Sequence, residues 1–213
     1  MCSQERNRQF GMILAVAVLA LTALTGVEAV AQDDLEINYK ARAISALNIE
    51  RAASDIFDVR VERWSTDAER NALVKVLESE GNHALATALA DQTETGFARF
   101  DPRGGRGPGR DPRKSALRYA REIERGDTKE VILITNTYIG FGSNAQGADG
   151  AKLAEYPLSF VLFKFHKDED GGWQKGVGRL FVGAKVRFDH VGNKFTIDEF
   201  PTDPVYLKGV TIK

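Results

Sequence analysis

Between Phe100 and Lys114 the chain reads FDPRGGRGPGRDPRK, which sets Arg103, Arg106, Arg110, Arg113 and Lys114 among glycines and prolines. Guanidinium groups at this density suit anions, which they hold by charge and by paired hydrogen bonds. The five cations against Asp101 and Asp111 leave the stretch at +3. An arginine-glycine arm that meets nucleic acid is typically a disordered segment inside the cell. This one lies within the chain, between two predicted strands. Its prolines and glycines suit a long surface loop. The expectation is therefore a solvated loop, with weak attraction to an anionic envelope polymer or lipid headgroup as the functional alternative. Nucleic acid is not an expected partner.

The other chemistry-bearing residues form weaker patterns. His83, His166 and His190 include no pair three or four residues apart, so no local metal-binding pair exists. His166 and His190 could meet across neighbouring strands with Asp168 or Asp189, giving a metal or acid–base site. The alternative is two exposed histidines at strand ends. GFGSNA, at 140–145, fits G-x-G-x-x-G/A, but the following QGADGAKLAEYP lacks the helix that would receive a pyrophosphate. It reads as a loop. Ser143 lacks the glycine two places earlier that a nucleophile elbow needs. KDEDGG lacks the spacing and final Glu of a calcium loop. Paired carboxylates for glycoside chemistry are brought together in space and leave no local mark. No catalytic residue, metal ligand or cofactor is expected from these patterns, and the balance leans away from an enzyme.

The start of the chain addresses location. MCSQERNRQ carries Arg6 and Arg8, an uncharged apolar run follows from Phe10 to Gly26, and Ala29-Val30-Ala31 precedes Gln32. Basic, apolar and small in that order describes a secretory signal peptide, with cleavage between Ala31 and Gln32. The apolar core from Met12 to Leu24 is shorter than the ~20 residues a spanning helix needs. An uncleaved anchor is the competing reading. Cys2, the only cysteine, precedes the apolar run and leaves with the signal. The remaining chain then has no disulfide, no thiol catalysis and no cysteine metal site. Arg6 and Arg8 balance Glu5 and Glu28, so the formal charge stays at −1. Any charge-driven partner must then meet a local patch. The expected location is periplasmic or secreted, with no stable membrane span after cleavage.

Periodicity supplies the elements that must position these residues. LEINYKARAIS (35–45) and IFDVRVERW (56–64) read as strands, the second with alternating apolar residues. STDAERNALVKVLESEG then opens with Thr66 and Glu69 in capping-box spacing. Gly81 is the expected stop and Asn82 a possible cap of a second helix. This makes a helical hairpin near residues 66–90. Strands follow: GFARF, the single strand SALRYAREI, EVILITNTY with both faces apolar, YPLSFVLFKFH and RLFVGAKVRFD. In RLFVGAKVRFD, Leu180, Val182, Ala184, Val186 and Phe188 are expected on one face, with Phe181 the exception. KFTID and VYLKGVTIK complete the set, the latter with a bulge expected near Gly209. Turns are expected at Asp170-Gly171 and at Gly192-Asn193, the latter pair suited to positive φ. The reading is one α+β domain over 32–213, mainly antiparallel β. Its eight or nine strands form a sandwich or barrel-like sheet. A long loop covers 101–114 and a polar loop 140–155.

RWSTDAERNALVKVLESEGNHALATAL, RYAREIERGDTKEVILITNTYIGF, YPLSFVLFKFHKDEDGG and the closing VYLKGVTI resemble a family of secreted bacterial proteins of unknown function. That family shows a signal peptide, a W-S-T helix start, an R-Y-A strand, a Y-P-F strand and a closing P-V-x-L strand. Thr135-Asn136-Thr137-Tyr138 stands where the family has T-D-R-P. The resemblance implies export and an α+β fold, and brings no activity with it. The functional expectation is thus an exported, non-enzymatic protein with a binding or envelope-associated role. The alternatives are an envelope hydrolase with a spatially assembled site and a carrier of a small apolar ligand inside a barrel. Phe160, Phe163, Phe165, Phe181, Phe188, Phe195 and Tyr206 would supply the lining of such a barrel.

Overall fold

In IFDVRVER every second residue is apolar, and in the computed structural model this alternation becomes β2 (Asp55–Val61). Phe57, Val59 and Val61 are buried on one side of it. The structure describes residues 36–44, 55–101, 114–139 and 154–213. The expected signal peptide and its cleavage point, Arg103, Arg106, Arg110 and Arg113, and GFGSNA lie outside the described residues. The remaining elements are β1 (Ile37–Ile44), α1 (Asp67–Glu80), α2 (Asn82–Ala90), β3 (Gly96–Asp101), β4 (Ser115–Leu117) and β5 (Tyr119–Arg125). They continue with β6 (Thr128–Thr135), β7 (Leu158–His166), β8 (Gly176–Asp189), β9 (Lys194–Glu199) and β10 (Val205–Ile212).

The strands pair antiparallel in the order β4-β3-β2-β1-β10-β8-β7-β6-β5, with β9 attached to β8. A single residue, Arg118, joins the two ends of this order. Leu117 accepts a hydrogen bond from Thr95 N–H (2.8 Å), while Arg118 N–H donates to Ile134 C=O (3.0 Å). The sheet is therefore a nearly closed, barrel-like α+β structure. SALRYAREI was expected as one strand and is two, which raises the described strands to ten. Along a regular strand Leu117 and Tyr119 would share a face. Here Leu117 joins the inner core and Tyr119 the outer one, because the chain turns over at Arg118.

Two cores follow from the curl. Inside lie Phe57, Val59, Val131, Leu133, Val161 and Phe163, with their neighbours. Outside, Leu73, Leu77, Leu85 and Leu89 of the helices pack on Ile132, Ile134 and Phe160. β6 is thus covered on both faces, as its unbroken apolar run predicts. The interior is filled by rings. A Cβ on Gly178 or Gly176 would sit 2.6 Å from the ring of Phe163 or Phe165. Tyr39 completes this stack, with ring centroids 5.3 Å from Phe163 and 6.1 Å from Phe165.

β8 departs from its expected single apolar face. Leu180 and Val182 point into the barrel, whereas Phe181, Ala184, Val186 and Phe188 belong to the outer core. The cause is Gly183 (φ 75°), an extra residue between the pairs Ser159–Val182 and Leu158–Ala184. A bulge of this kind reverses side-chain parity, which moves Ala184, Val186 and Phe188 to the outer face that Phe181 already occupies. The bulge expected near Gly209 is present, with φ 61° and a register shift between Lys208 and Val210.

The helical hairpin forms as its caps dictate. Thr66 Oγ1 accepts from Glu69 N–H (3.1 Å) and Glu69 Oε2 accepts from Thr66 N–H (2.7 Å). Gly81 ends α1. Asn82 does not cap α2, which has no side-chain cap. Its amide instead donates to Val186 C=O (3.1 Å) and accepts from Val186 N–H (2.8 Å), satisfying backbone groups of β8 and fixing the hairpin to the wall. At the far turn Asn193 has φ 47°, as expected. Gly192 does not have positive φ. It is needed for space, since a Cβ there would lie 2.2 Å from Asp189 Oδ2.

Candidate functional site

The helices cover only part of the barrel's outer wall. Among the described residues, no helix packs on the part made by the start of β8, β10, β1, β2 and β3. Pairing register sets its outward side chains in cross-strand rows whose members lie about 4.8 Å apart. One row runs Arg179, Tyr206, Ile44. The next runs Val177, Lys208, Arg42, Ile56. A third runs Thr211, Lys40, Asp58, Arg99, and a fourth Asn38, Arg60, Phe97.

The last two rows are largely self-neutralised. Asp58, only 7 % exposed, faces Lys40 (3.5 Å) and Arg99 (3.3 Å). Arg60 pairs with Glu36 (3.0 Å) and Glu62 (3.2 Å). These side chains line a groove of about 270 Å³ with Phe97 and Lys213. The first two rows differ. Arg42 and Lys208 stand directly opposite each other, and among the described residues neither has an acidic partner. Like charges opposite one another on antiparallel strands repel. Arg179 also lacks an acid among the described residues and lies over the ring of Tyr206 at 5.8 Å. A chain of formal charge −1 thus places three cations without an acid among the described residues side by side on this wall. Three cations without a counter-charge among the described residues raise the local potential and attract an anion, which would also relieve the Arg42–Lys208 repulsion.

Of the cations singled out from the sequence, Lys114 is described. It sits over Phe97 at 4.5 Å, beside the groove. β3 and β4 thus hold the two ends of the arginine-glycine segment at this same wall. Arg42, Lys208 and Arg179 went unrecognised in the sequence. Each occupies an ordinary outward strand position, and only the placement of β10 between β1 and β8 brings them together.

The histidines do not converge. His166 ends β7, beside the start of β8, while His190 follows the far end of β8. His190 Nε2 meets Glu78 of α1 at 2.7 Å, at the edge of an open depression of about 570 Å³. Asp168 and Asp189 serve their turns, accepting from Gly172 N–H (2.6 Å) and Gly192 N–H (2.9 Å). Among the described residues no group of three His, Cys, Asp or Glu is placed to hold a metal. Among them, too, no helix is long and apolar enough to cross a membrane.

A second polar cluster closes one end of the barrel. Lys129 lies between Glu122 and Glu124, 3.0 Å from each, and 4.7 Å from the ring of Trp173. Burial disfavours its charge, but the two carboxylates outweigh this and raise its pKa. Deeper in, the Tyr39 hydroxyl has no hydrogen-bond partner among the described residues. Burial, then the Glu122 charge, pushes its pKa up. These groups are neutralised within the fold or packed against rings. Comparison with protein-family models, with curated proteins and with solved structures gives no match.

Proposed function

We propose that the chain is an exported, non-enzymatic protein that binds an anionic component of the cell envelope through its uncovered wall. The carrying observation is the Arg42–Lys208 pair, two like charges in direct opposition without an acid among the described residues. The order of residues 1–31 and the resemblance to secreted proteins support export. The ring-filled interior favours binding outside the barrel over carriage of a ligand within it. The His190–Glu78 contact is exposed, in an open depression and not an enclosed cleft, which supports binding over hydrolysis.

Two measurements test this. N-terminal sequencing of protein recovered from the envelope or medium is expected to begin at Gln32; a chain beginning at Met1 throughout would refute cleavage. Retention on heparin is expected to be salt-sensitive and to fall for Arg42→Ser/Lys208→Ser. Equal elution of variant and parent would remove the wall from the proposal. Replacing Arg103, Arg106, Arg110 and Arg113 by Ser is the companion experiment for the loop. A further loss there would assign the loop to the same anion.

A further inference from the structure

We infer that the anion is the surface of an acidic lipid bilayer, docked on the wall formed by β8, β10 and β1; this rests on the anion-binding reading of that wall. The argument comes from what accompanies the cations. Val177 is 58 % exposed and Tyr206 42 % exposed. Both point outward from the same rows as Arg179, Lys208 and Arg42. A soluble polyanion attracts the cations but gains nothing from an exposed valine. A bilayer surface rewards both kinds of side chain. Its negative potential attracts Lys and Arg, while the boundary between headgroups and acyl chains takes up apolar groups. Tyrosine has the amphipathic ring that settles at this depth. The wall's curvature adds a geometric reason. A plane meets a barrel along only a few strands, and these three set Arg179, Lys208 and Arg42 side by side, none of them with an acid among the described residues. Asp58, Arg60 and Arg99, on β2 and β3, lie on the strands that curve away from the plane.

The test uses the purified full chain and flotation with vesicles of phosphatidylglycerol or of phosphatidylcholine. Phosphatidylcholine reports attachment by the apolar run 10–26 alone, so docking is the difference between the two. The parent is expected to float with phosphatidylglycerol in a salt-sensitive manner. Arg42→Ser/Lys208→Ser is expected to lower that partitioning roughly thirtyfold, at about fivefold per cation, and to elute earlier from heparin. Val177→Ser/Tyr206→Ser is expected to lower vesicle partitioning about tenfold while leaving heparin elution unchanged. Full vesicle binding by the apolar variant would overturn the inference. So would a parent held by heparin but not by phosphatidylglycerol vesicles, which would assign the wall to a polyanionic chain. Failure to bind either would remove the anion reading itself. Circular dichroism verifies the fold of each variant, and if the double change unfolds the chain, Val177→Ser alone gives the same readout.

Discussion

Glu130 shows how single residues set the pH range of this fold. It takes hydrogen bonds from Lys164 (2.9 Å) and Lys194, on the outer surface of β6. Burial opposes its ionisation, but the two ammonium groups prevail and hold its pKa below the usual carboxylate range. Glu69 is held low in the same way, by Arg63 and the Thr66 backbone against burial. A carboxyl with a lowered folded pKa adds stability above its unfolded value, about 4.3, which is lost as pH falls through the folded value. Urea midpoints are therefore expected to drop between pH 5 and pH 3. Glu130→Gln should cost about 1–3 kcal/mol at pH 7 and flatten that dependence. An unchanged pH profile would exclude Glu130 as a contributor. At the other extreme, burial pushes the Tyr119 phenol up to about 12. Its neutral form stabilises the fold below the unfolded value near 10, and this contribution disappears as pH rises toward 12. Absorbance titration is expected to show this tyrosine ionising late together with Tyr39, and Tyr119→Phe should reduce the late amplitude.

At the scale of elements, strands and helices were legible wherever local chemistry decides. The Thr66–Glu69 box, the doubly covered β6 and the Gly209 bulge all come from spacings of four residues or fewer. Thr66→Ala should cost about 1 kcal/mol, measured as a shift in thermal midpoint. Legibility ended where a distant segment settles the outcome. β8 reverses parity at Gly183 because it must serve the inner core beside β7 and then the outer core beside the helices. Asn82 is drawn from capping α2 by Val186, 104 residues away. The wall of Arg42, Lys208 and Arg179 was hidden for the same reason, since it exists only through pairing register. The arginine-glycine stretch was conspicuous by composition. Register can be tested directly through the inner glycines. Gly178→Ala drives a methyl against the Phe163 ring and Leu162 C=O, and should cost about 1–3 kcal/mol. A stability equal to the parent would show that the ring does not fill that space.

For the whole molecule, the decisive element is β10. It lies between β1 and β8, so it joins β4-β3-β2-β1 on one side to β8-β7-β6-β5 on the other. Asn38 and Lys213 exchange backbone hydrogen bonds, N–H to C=O in both directions, at 3.3 and 2.9 Å. Pairing across so much sequence is slow to form, because the loop must close before its contacts can reward it. Removing residues 205–213 is expected to leave a chain with no cooperative thermal transition. A sharp transition in that truncation would show that the two halves hold together without β10. The placement of β10 also bears on synthesis. A nascent chain can build its helical hairpin and local strand pairs early, yet the sheet stays open until residues 205–212 have emerged. Through most of its translation the sheet thus lacks the strand that joins its two halves, a kinetic delay supplied by strand order alone.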